Sequence, residues 1–168
     1  IKAVKPILYL IPGEKDCFNT SSALYEKYAG TGTCYSINYA KIHIAMVPLF
    51  NMANQSLESQ VDWLEKDLAK HGDYPAILVV THLPVVNASG QHLPEKMAER
   101  VHQIVKKYPV KAVISGHSGK LSETAKEGIR YIVAGCGGFS PEEKSKNLNQ
   151  FYIVNFNGQD LFLEGKKI

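Results

Sequence analysis

The amino-acid sequence predicts an α/β fold with mixed sheets, and three observations support this. Strand-like apolar runs alternate with helix-like segments along most of the chain. The run AILVVT at 76–81 is continuously apolar, as expected of a strand inside a sheet that is covered on both faces. Asn157 and Gly158 lie between two apolar runs and form a strong two-residue hairpin signal. Alternation followed by a hairpin is typical of domains that combine parallel and antiparallel strands.

Eight short segments have the composition of strands. The first, ILYLI at 7–11, is predicted to be a buried strand that leads into a loop beginning at Gly13. The segments 34–39 and 42–47 are separated only by Ala40 and Lys41, which predicts a hairpin. The other strands are predicted at 76–81, 112–115, 129–134, 151–156 and 161–163.

Three segments have the pattern of helices. A short helix is predicted over 20–28, because Gly30 follows as a stop signal. Ser56 is a favourable N-cap for a helix to about residue 70, with apolar side chains on one face and Gly72 after its end. A third helix is predicted to begin near Pro94, since proline suits the first turn.

Length and composition exclude several classes of protein. The 168 residues fit one domain, which we place over residues 1–168. Hydrophobic residues make up 45% and charged residues 21%, as in ordinary globular domains. The net charge of +3 is small and the basic residues are scattered, so nothing indicates a nucleic-acid partner. No apolar run approaches the roughly 20 residues of a membrane span.

Polar clusters follow three of the predicted strands. They are Gly13 to Asp16 (GEKD), Thr81 to Pro84 (THLP) and Ser115 to His117 (SGH). Ligand sites in α/β sheets lie beyond the carboxyl ends of strands, where loops direct side chains into one cleft. We therefore expect His82 and His117 to converge at the ends of neighbouring strands.

The order of these motifs resembles that of the calcineurin-like metallophosphoesterases, in particular the branch similar to purple acid phosphatases. The segment YSINYAKIH at 35–43 is similar to the strand pair YSFDYGNVH of that branch. The segment QVDWLEKDL at 60–68 is similar to its helix QLxWLExDL. The clusters at 13–16, 82–84 and 116–119 stand where the family has GNHD, HxP and GHxH. The resemblance runs from residue 7 to the end and implies a two-sheet α/β/β/α sandwich.

The resemblance also implies a metal site and its residues. In the family, two ions of iron, manganese or zinc activate a water and hold the phosphate. His82 matches a metal-binding histidine, His117 matches the first histidine of GHxH, and Glu14 stands at the position of the metal-bridging asparagine. Lys15 stands where the family has a histidine that assists catalysis, and Asp16 matches the supporting aspartate.

The departures from the family pattern are large. Glu14, Lys15 and Gly119 replace an asparagine and two histidines at chemistry positions. The upstream DxH and GDxx motifs do not occur, and the chain begins with Ile rather than Met. We therefore expect this chain to be the C-terminal portion of a longer protein, without the N-terminal strands of the sandwich.

Lys15 leaves three interpretations open. Its positive charge would oppose a metal dication, and an internal ion pair of Lys15 with Glu14 would then replace the metal site. Alternatively, Glu14 and Lys15 are a solvated pair at the surface, or Lys15 binds phosphate as a point charge.

Two readings of function remain in competition. In the first, the domain is part of an active phosphoester hydrolase, and a missing N-terminal half supplies further ligands. In the second, it is a pseudoenzyme that serves as a scaffold or binding subunit and whose partner is another protein chain. The three substitutions favour the second reading for catalysis, so we expect the isolated chain to be inactive.

The cysteines give a conditional prediction. Cys17 and Cys34 are spaced for a disulfide across a short helix, which an exported protein would form; the alternative is that they and Cys136 are thiols. The compartment is not determined by the sequence, and a periplasmic or extracellular one is favoured.

Overall fold

The computed structural model describes residues 7–17, 21–86, 92–119, 121–134, 150–157 and 160–167. Within them three α-helices are formed: α1 (Ala23–Ala29), α2 (Leu57–Lys70) and α3 (Glu95–Val105). Eight strands are formed, which are β1 (Tyr35–Tyr39), β2 (Ile42–Met46), β3 (Ala76–Val80), β4 (Val110–Ser115), β5 (Leu121–Lys126), β6 (Ile129–Ala134), β7 (Gln150–Phe156) and β8 (Leu161–Lys167). Cys136 lies outside the described residues.

A six-stranded sheet with the order β1-β2-β3-β4-β6-β5 is the centre of the fold. The four inner strands β2, β3, β4 and β6 are parallel, and the two edge strands are antiparallel to their neighbours. The predicted hairpin of β1 and β2 is confirmed. Because β2, β3 and β4 run in the same direction, the loops after them meet at one edge of the sheet.

The two faces of this sheet have different covers. Helices α2 and α3 pack on one face, where α2 buries Leu57, Val61, Leu64 and Leu68 as its apolar stripe predicts. The hairpin of β7 and β8 packs on the other face through Tyr152, Phe156, Leu161 and Leu163. The α/β class with two sheets is therefore confirmed, and the described residues supply three of the four expected layers.

The strand predicted at 7–11 is wrong. Residues 7–10 form no regular structure and are exposed, with Ile7 at 78%. The Leu10 carbonyl accepts hydrogen bonds from the hydroxyls of Tyr25 and Tyr35 rather than from a strand. An apolar run shows that a strand is possible. A strand also needs a neighbouring strand that forms hydrogen bonds with its backbone N–H and C=O groups.

The sequence did not predict strand β5, because this strand lacks an apolar run but does have a neighbour, β6, to pair with. Its sequence LSETAK is polar, and five of its six residues are exposed at the edge of the sheet.

Among the described residues, no helix has the length and apolar character needed to cross a membrane.

Candidate metal centre

Parallel strands β3 and β4 place His82 and His117 side by side. Each histidine comes two residues after the end of its strand, which is Val80 for β3 and Ser115 for β4. The two strand-end loops are joined, because the backbone N–H of Gly116 donates to the His82 carbonyl at 3.2 Å. The sheet therefore fixes the spacing of the two rings through their backbones.

The predicted convergence of the two histidines is confirmed. His82 Nε2 lies 2.9 Å from His117 Nδ1. The rings meet edge to face at 76°, with centroids 4.8 Å apart. This separation is within reach of one metal ion or one shared hydrogen bond.

Glu14 joins the two histidines from a different part of the chain. It lies on a short 3-10 helix, Glu14–Asp16, that follows Gly13. Its Oε2 lies 2.5 Å from His82 Nε2, and its Oε1 lies 3.2 Å from His117 Nδ1. One ligand atom from each of the three residues lies within 4.8 Å of the other two.

The electrostatics of the site favour a carboxylate beside a neutral imidazole. Partial burial by itself would raise the pKa of Glu14, but a backbone hydrogen bond and the charges of His82 and His117 outweigh it, so the pKa is lowered. Burial lowers the pKa of His82, and this exceeds the opposing effect of the Glu14 charge. Both shifts favour the protonation states in which these groups bind metals.

These residues fit a metal ion. Two imidazole nitrogens and a carboxylate oxygen are donors that zinc, iron and manganese accept in proteins. A bound ion would supply positive charge that polarises a phosphoryl oxygen and lowers the pKa of a bound water. Whether Glu14, His82 and His117 bind an ion stays a prediction.

Gly13 brings its loop unusually close to His82. A Cβ atom at this position would lie 2.7 Å from His82 Cε1, which is a clash. The glycine therefore allows the backbone before Glu14 to pack against the imidazole.

Replacing Gly13 with Ala is expected to displace the His82 ring and weaken metal binding by roughly 10-fold, as for a lost supporting contact. Zinc titration of the purified variant would measure this. Gly128→Ala is a control, because a Cβ there meets no atom within 4 Å, although its φ of +80° carries some strain. Equal zinc affinities in all three proteins would contradict the prediction.

Lys15 and Asp16 lie beside the centre and are exposed. The expected ion pair of Glu14 with Lys15 is not formed, because the Glu14 carboxylate pairs with the two histidines instead. Asp16 supports the loop, since its Oδ2 accepts a hydrogen bond from the Gly13 N–H at 2.8 Å. Catalytic roles for Lys15 and Asp16 remain predictions.

The disulfide between Cys17 and Cys34 is not present in the structure, in which both are free thiols. Cys17 packs against Met52, with 3.7 Å between the sulfur atoms. Cys34 accepts a hydrogen bond from the Gln55 amide. Each sulfur has its own neighbour, and burial raises the pKa of Cys34 to about 11.

A second polar cluster joins β1, β2 and α2. His43 lies in β2 and is fully buried. Its Nε2 lies 2.7 Å from Asp67 Oδ2 and its Nδ1 lies 2.6 Å from Asn38 Oδ1. Asp67 also accepts from Ser36, and the His71 ring stacks on His43 with centroids 4.1 Å apart. Asp67 and His71 lie four residues apart at the end of a helix. This spacing is the sequence signal that places both side chains on one face of α2, beside His43.

A further buried histidine, His102, lies in helix α3 and is 1% exposed. Its Nδ1 lies 2.6 Å from the Tyr131 hydroxyl and its Nε2 lies 3.2 Å from Glu127. Both ring nitrogens of His102 therefore have a partner, and the contact with Tyr131 joins α3 to β6.

Comparisons with known proteins give likenesses in structure rather than in sequence. No protein-family model and no curated protein sequence matches this chain. A dimetal phosphatase from Danio rerio is similar over 45% of this chain and 26% of its own, at 25% identity and a TM-score of 0.39. GAP50, the anchor in the inner membrane complex of Plasmodium, is similar over 81% of this chain and 54% of its own, at 14% identity and a TM-score of 0.52.

These two likenesses differ in what they show. The first covers too little of either protein to support an argument, and this chain spans about a quarter of that protein and about half of GAP50. The likeness to GAP50 covers 81% of this chain and shows the fold alone. The chain therefore shares with GAP50 a mixed α/β fold, here a six-stranded sheet with helices on one face and a two-stranded hairpin on the other.

Proposed function

We propose that this chain is a phosphoesterase-like domain whose cleft binds metal and phosphoesters, and that it does not hydrolyse phosphoesters by itself. The observation that carries this proposal is the meeting of Glu14, His82 and His117 at the carboxyl ends of β3 and β4. The three donors come from three separate segments of the chain, and one ligand atom of each lies within 4.8 Å of the other two. Zinc, iron and manganese are the ions that such donors suit.

Binding of phosphate follows from the charges around this centre. A metal ion with three protein ligands keeps a position open for an oxygen of a phosphoester. Lys15 is adjacent to Glu14 in the chain and exposed, and an ammonium group attracts phosphate as a point charge. The phosphoester is therefore the ligand class that we assign to the cleft.

Loss of hydrolysis follows from the residues that are replaced. Gly119 has no donor side chain where the family has its second histidine. Lys15 stands in place of a histidine that assists catalysis. Two metal ions stabilise both the attacking and the leaving oxygen in the family, and losing one such stabiliser costs about 3 kcal/mol or more of barrier.

A non-catalytic role as a binding subunit is the second candidate. One solved structure that shares this fold over 81% of the chain, GAP50, is described as an anchor. In this reading the cleft or the sheet surface binds an upstream half of the protein or another protein chain. The fold alone does not decide between the two candidates.

The isolated chain is expected to hydrolyse p-nitrophenyl phosphate and bis(p-nitrophenyl) phosphate no faster than a blank containing the same Mn²⁺, Fe²⁺ or Zn²⁺. Inorganic phosphate should bind the metal-loaded chain, as measured by calorimetry, and this binding should vanish in His82→Ala. The donors that hold the ion are present, whereas the groups that assist turnover are not.

Two outcomes would overturn this proposal. Metal-dependent turnover that disappears in His82→Ala would show an active hydrolase. Absence of phosphate binding to metal-loaded protein would remove the binding role and favour the second candidate.

A further inference from the structure

A second group of donor side chains lies at the opposite edge of the sheet from the strand-end centre. His43 is the second residue of β2, which runs parallel to β3. Asp67 lies in the last turn of α2, and His71 is the C-cap of the same helix. One nitrogen or oxygen atom of each of these residues lies within 4.8 Å of the other two. The two groups of donors are therefore at opposite ends of the parallel strands.

Each of the three side chains is oriented by a hydrogen-bond partner on one side. His43 Nδ1 lies 2.6 Å from Asn38 Oδ1. The Ser36 hydroxyl donates to Asp67 Oδ1 at 2.8 Å. His71 Nδ1 lies 2.9 Å from the Asp67 carbonyl oxygen. Histidine and carboxylate ligands of metal ions are oriented in this way, by a second polar contact on the side away from the ion.

One donor atom of each side chain then remains for a ligand. His43 Nε2 and Asp67 Oδ2 face each other at 2.7 Å. Among the described residues, His71 has a hydrogen-bond partner only at Nδ1, so its Nε2 is available. Metal binding displaces protons from its ligands, and an ion at this place would replace the proton that joins His43 to Asp67.

The stacked rings of His43 and His71 determine what has to move. Their centroids are 4.1 Å apart and their planes differ by 19°, so nitrogens of the two rings do not yet point at one ion. The His43 ring is fully buried, whereas the His71 side chain is 16% exposed at the end of its helix. The His71 ring is therefore the one with room to turn toward an ion.

The charge at this place favours a cation. Helix α2 has 14 residues, and the C=O groups at its C-terminal end carry partial negative charge. Burial by itself would raise the pKa of Asp67, but hydrogen bonds from His43 and Ser36 and the charges of His43 and His71 lower it. An ionised carboxylate beside a helix C-terminus is a negative environment that a divalent cation would neutralise.

We propose that His43, Asp67 and His71 bind a divalent transition-metal ion of the zinc type, which fastens the end of α2 to β2. Two imidazoles and one carboxylate are a donor set that zinc accepts, with a water as the fourth ligand. The role of this ion is structural, because the site lies in the packing between a helix and a sheet. The proposal does not depend on the proposed function, since it concerns other residues at the other edge of the sheet.

The test first removes the strand-end centre, so that an ion that still binds belongs to the second site. The double variant His82→Ala, His117→Ala would be freed of metal and titrated with Zn²⁺ by calorimetry. One zinc ion per chain is expected. Its binding should raise the temperature of unfolding, because an ion that binds only the folded chain stabilises it. The same titration in the double variant Glu14→Gln, His82→Ala should give the same result.

His71→Phe in the first double variant tests the donor set, because it keeps a ring against His43 but offers no nitrogen. Its zinc affinity should fall by roughly 100-fold or more, since even outer partners of metal ligands contribute 10–100-fold. Ser36→Ala loses only the hydrogen bond to Asp67 and should weaken zinc binding by roughly 10-fold. His92→Ala is the matched control, because His92 is an exposed histidine outside the cluster, and its removal should leave zinc binding unchanged.

Thermal unfolding of the metal-free proteins separates loss of a ligand from loss of the fold. Absence of zinc binding in both folded double variants would overturn the proposal. Equal zinc affinities with and without His71→Phe would also overturn it, because the ion would then be bound elsewhere. A loss in His92→Ala as large as that in His71→Phe would overturn it for the same reason.

Discussion

Replacing Asp67 with Ala is expected to lower the free energy of unfolding by about 2–6 kcal/mol, because two donors lose their acceptor at about 1–3 kcal/mol each. His43 is fully buried, with its Nε2 2.7 Å from Asp67 Oδ2 and its Nδ1 2.6 Å from Asn38 Oδ1. Without Asp67, the Nε2–H of His43 and the Ser36 hydroxyl lose their partner. The cluster joins β1 and β2 to the end of α2, so the loss affects the packing of the whole helix.

Urea unfolding of the unchanged protein and of Asp67→Ala would measure this difference in the free energy of unfolding. Asp62→Ala is the matched control. Asp62 lies on the same helix, but it is exposed and pairs with Arg100 at the surface. Exposed ion pairs contribute about 0–1 kcal/mol, so the control should be close to the unchanged protein. Equal losses in the two variants would show that the His43 cluster has no special role.

The contribution of Asp67 should also depend on pH. Burial by itself would raise the pKa of this carboxyl, but hydrogen bonds from His43 and Ser36 and the charges of His43 and His71 lower it below its ordinary value of 3.8. A lowered pKa in the folded state stabilises the fold above the unfolded value, and this stability is lost as the pH falls through the folded value. The difference between the unchanged protein and Asp67→Ala should therefore shrink below about pH 4. A difference that grows at low pH would contradict this assignment.

Replacing Gln60 with Leu is expected to lower the free energy of unfolding by roughly 2–6 kcal/mol, because two buried backbone groups lose their partners at about 1–3 kcal/mol each. The Leu49 N–H donates to Gln60 Oε1 at 2.7 Å, and Gln60 Nε2 donates to the Phe50 carbonyl at 2.6 Å. Leu49 has a φ of +62°, which is a strained backbone conformation. The Gln60 side chain therefore holds a strained loop in place.

The same substitution should weaken zinc binding, because this loop also supports the metal centre. The His82 N–H donates to the carbonyl of Pro48, which precedes the segment that Gln60 holds. Gln103→Leu is a matched control, since Gln103 is exposed and bonds only to the Glu99 side chain among the described residues. Unfolding curves and zinc titrations of both variants would measure the two effects. A loss of stability in Gln103→Leu as large as that in Gln60→Leu would contradict the role given to Gln60.

The parts of the fold that could be predicted are those with a local pattern. Helix α2 follows from its N-cap at Ser56 and its apolar stripe, and the hairpin of β1 and β2 follows from a two-residue connection. The meeting of His82 with His117 follows from the rule that parallel strands end at one edge of a sheet.

The parts that could not be predicted depend on distant partners. The segment 7–10 has the composition of a strand, but composition does not show whether another strand pairs with it. The resemblance placed Glu14 at the same site as His82 and His117, but only the structure shows that its carboxylate pairs with these two histidines rather than with Lys15. The link between His43 and Asp67 joins polar residues 24 positions apart, and such a pair leaves no periodic trace in a sequence.

The separation of the three donors along the chain has a consequence for the order of folding. Glu14 and His82 are 68 residues apart, and His82 and His117 are 35 residues apart. Closing such loops costs entropy before any contact between their ends is gained, and parallel strand pairing is slow for the same reason. The centre can exist only after β2, β3 and β4 have docked and the segment before α1 has reached them. Capture of an ion by the proposed centre would therefore be a late event of refolding that marks a complete sheet, and a collapsed intermediate with formed helices would not yet have this site.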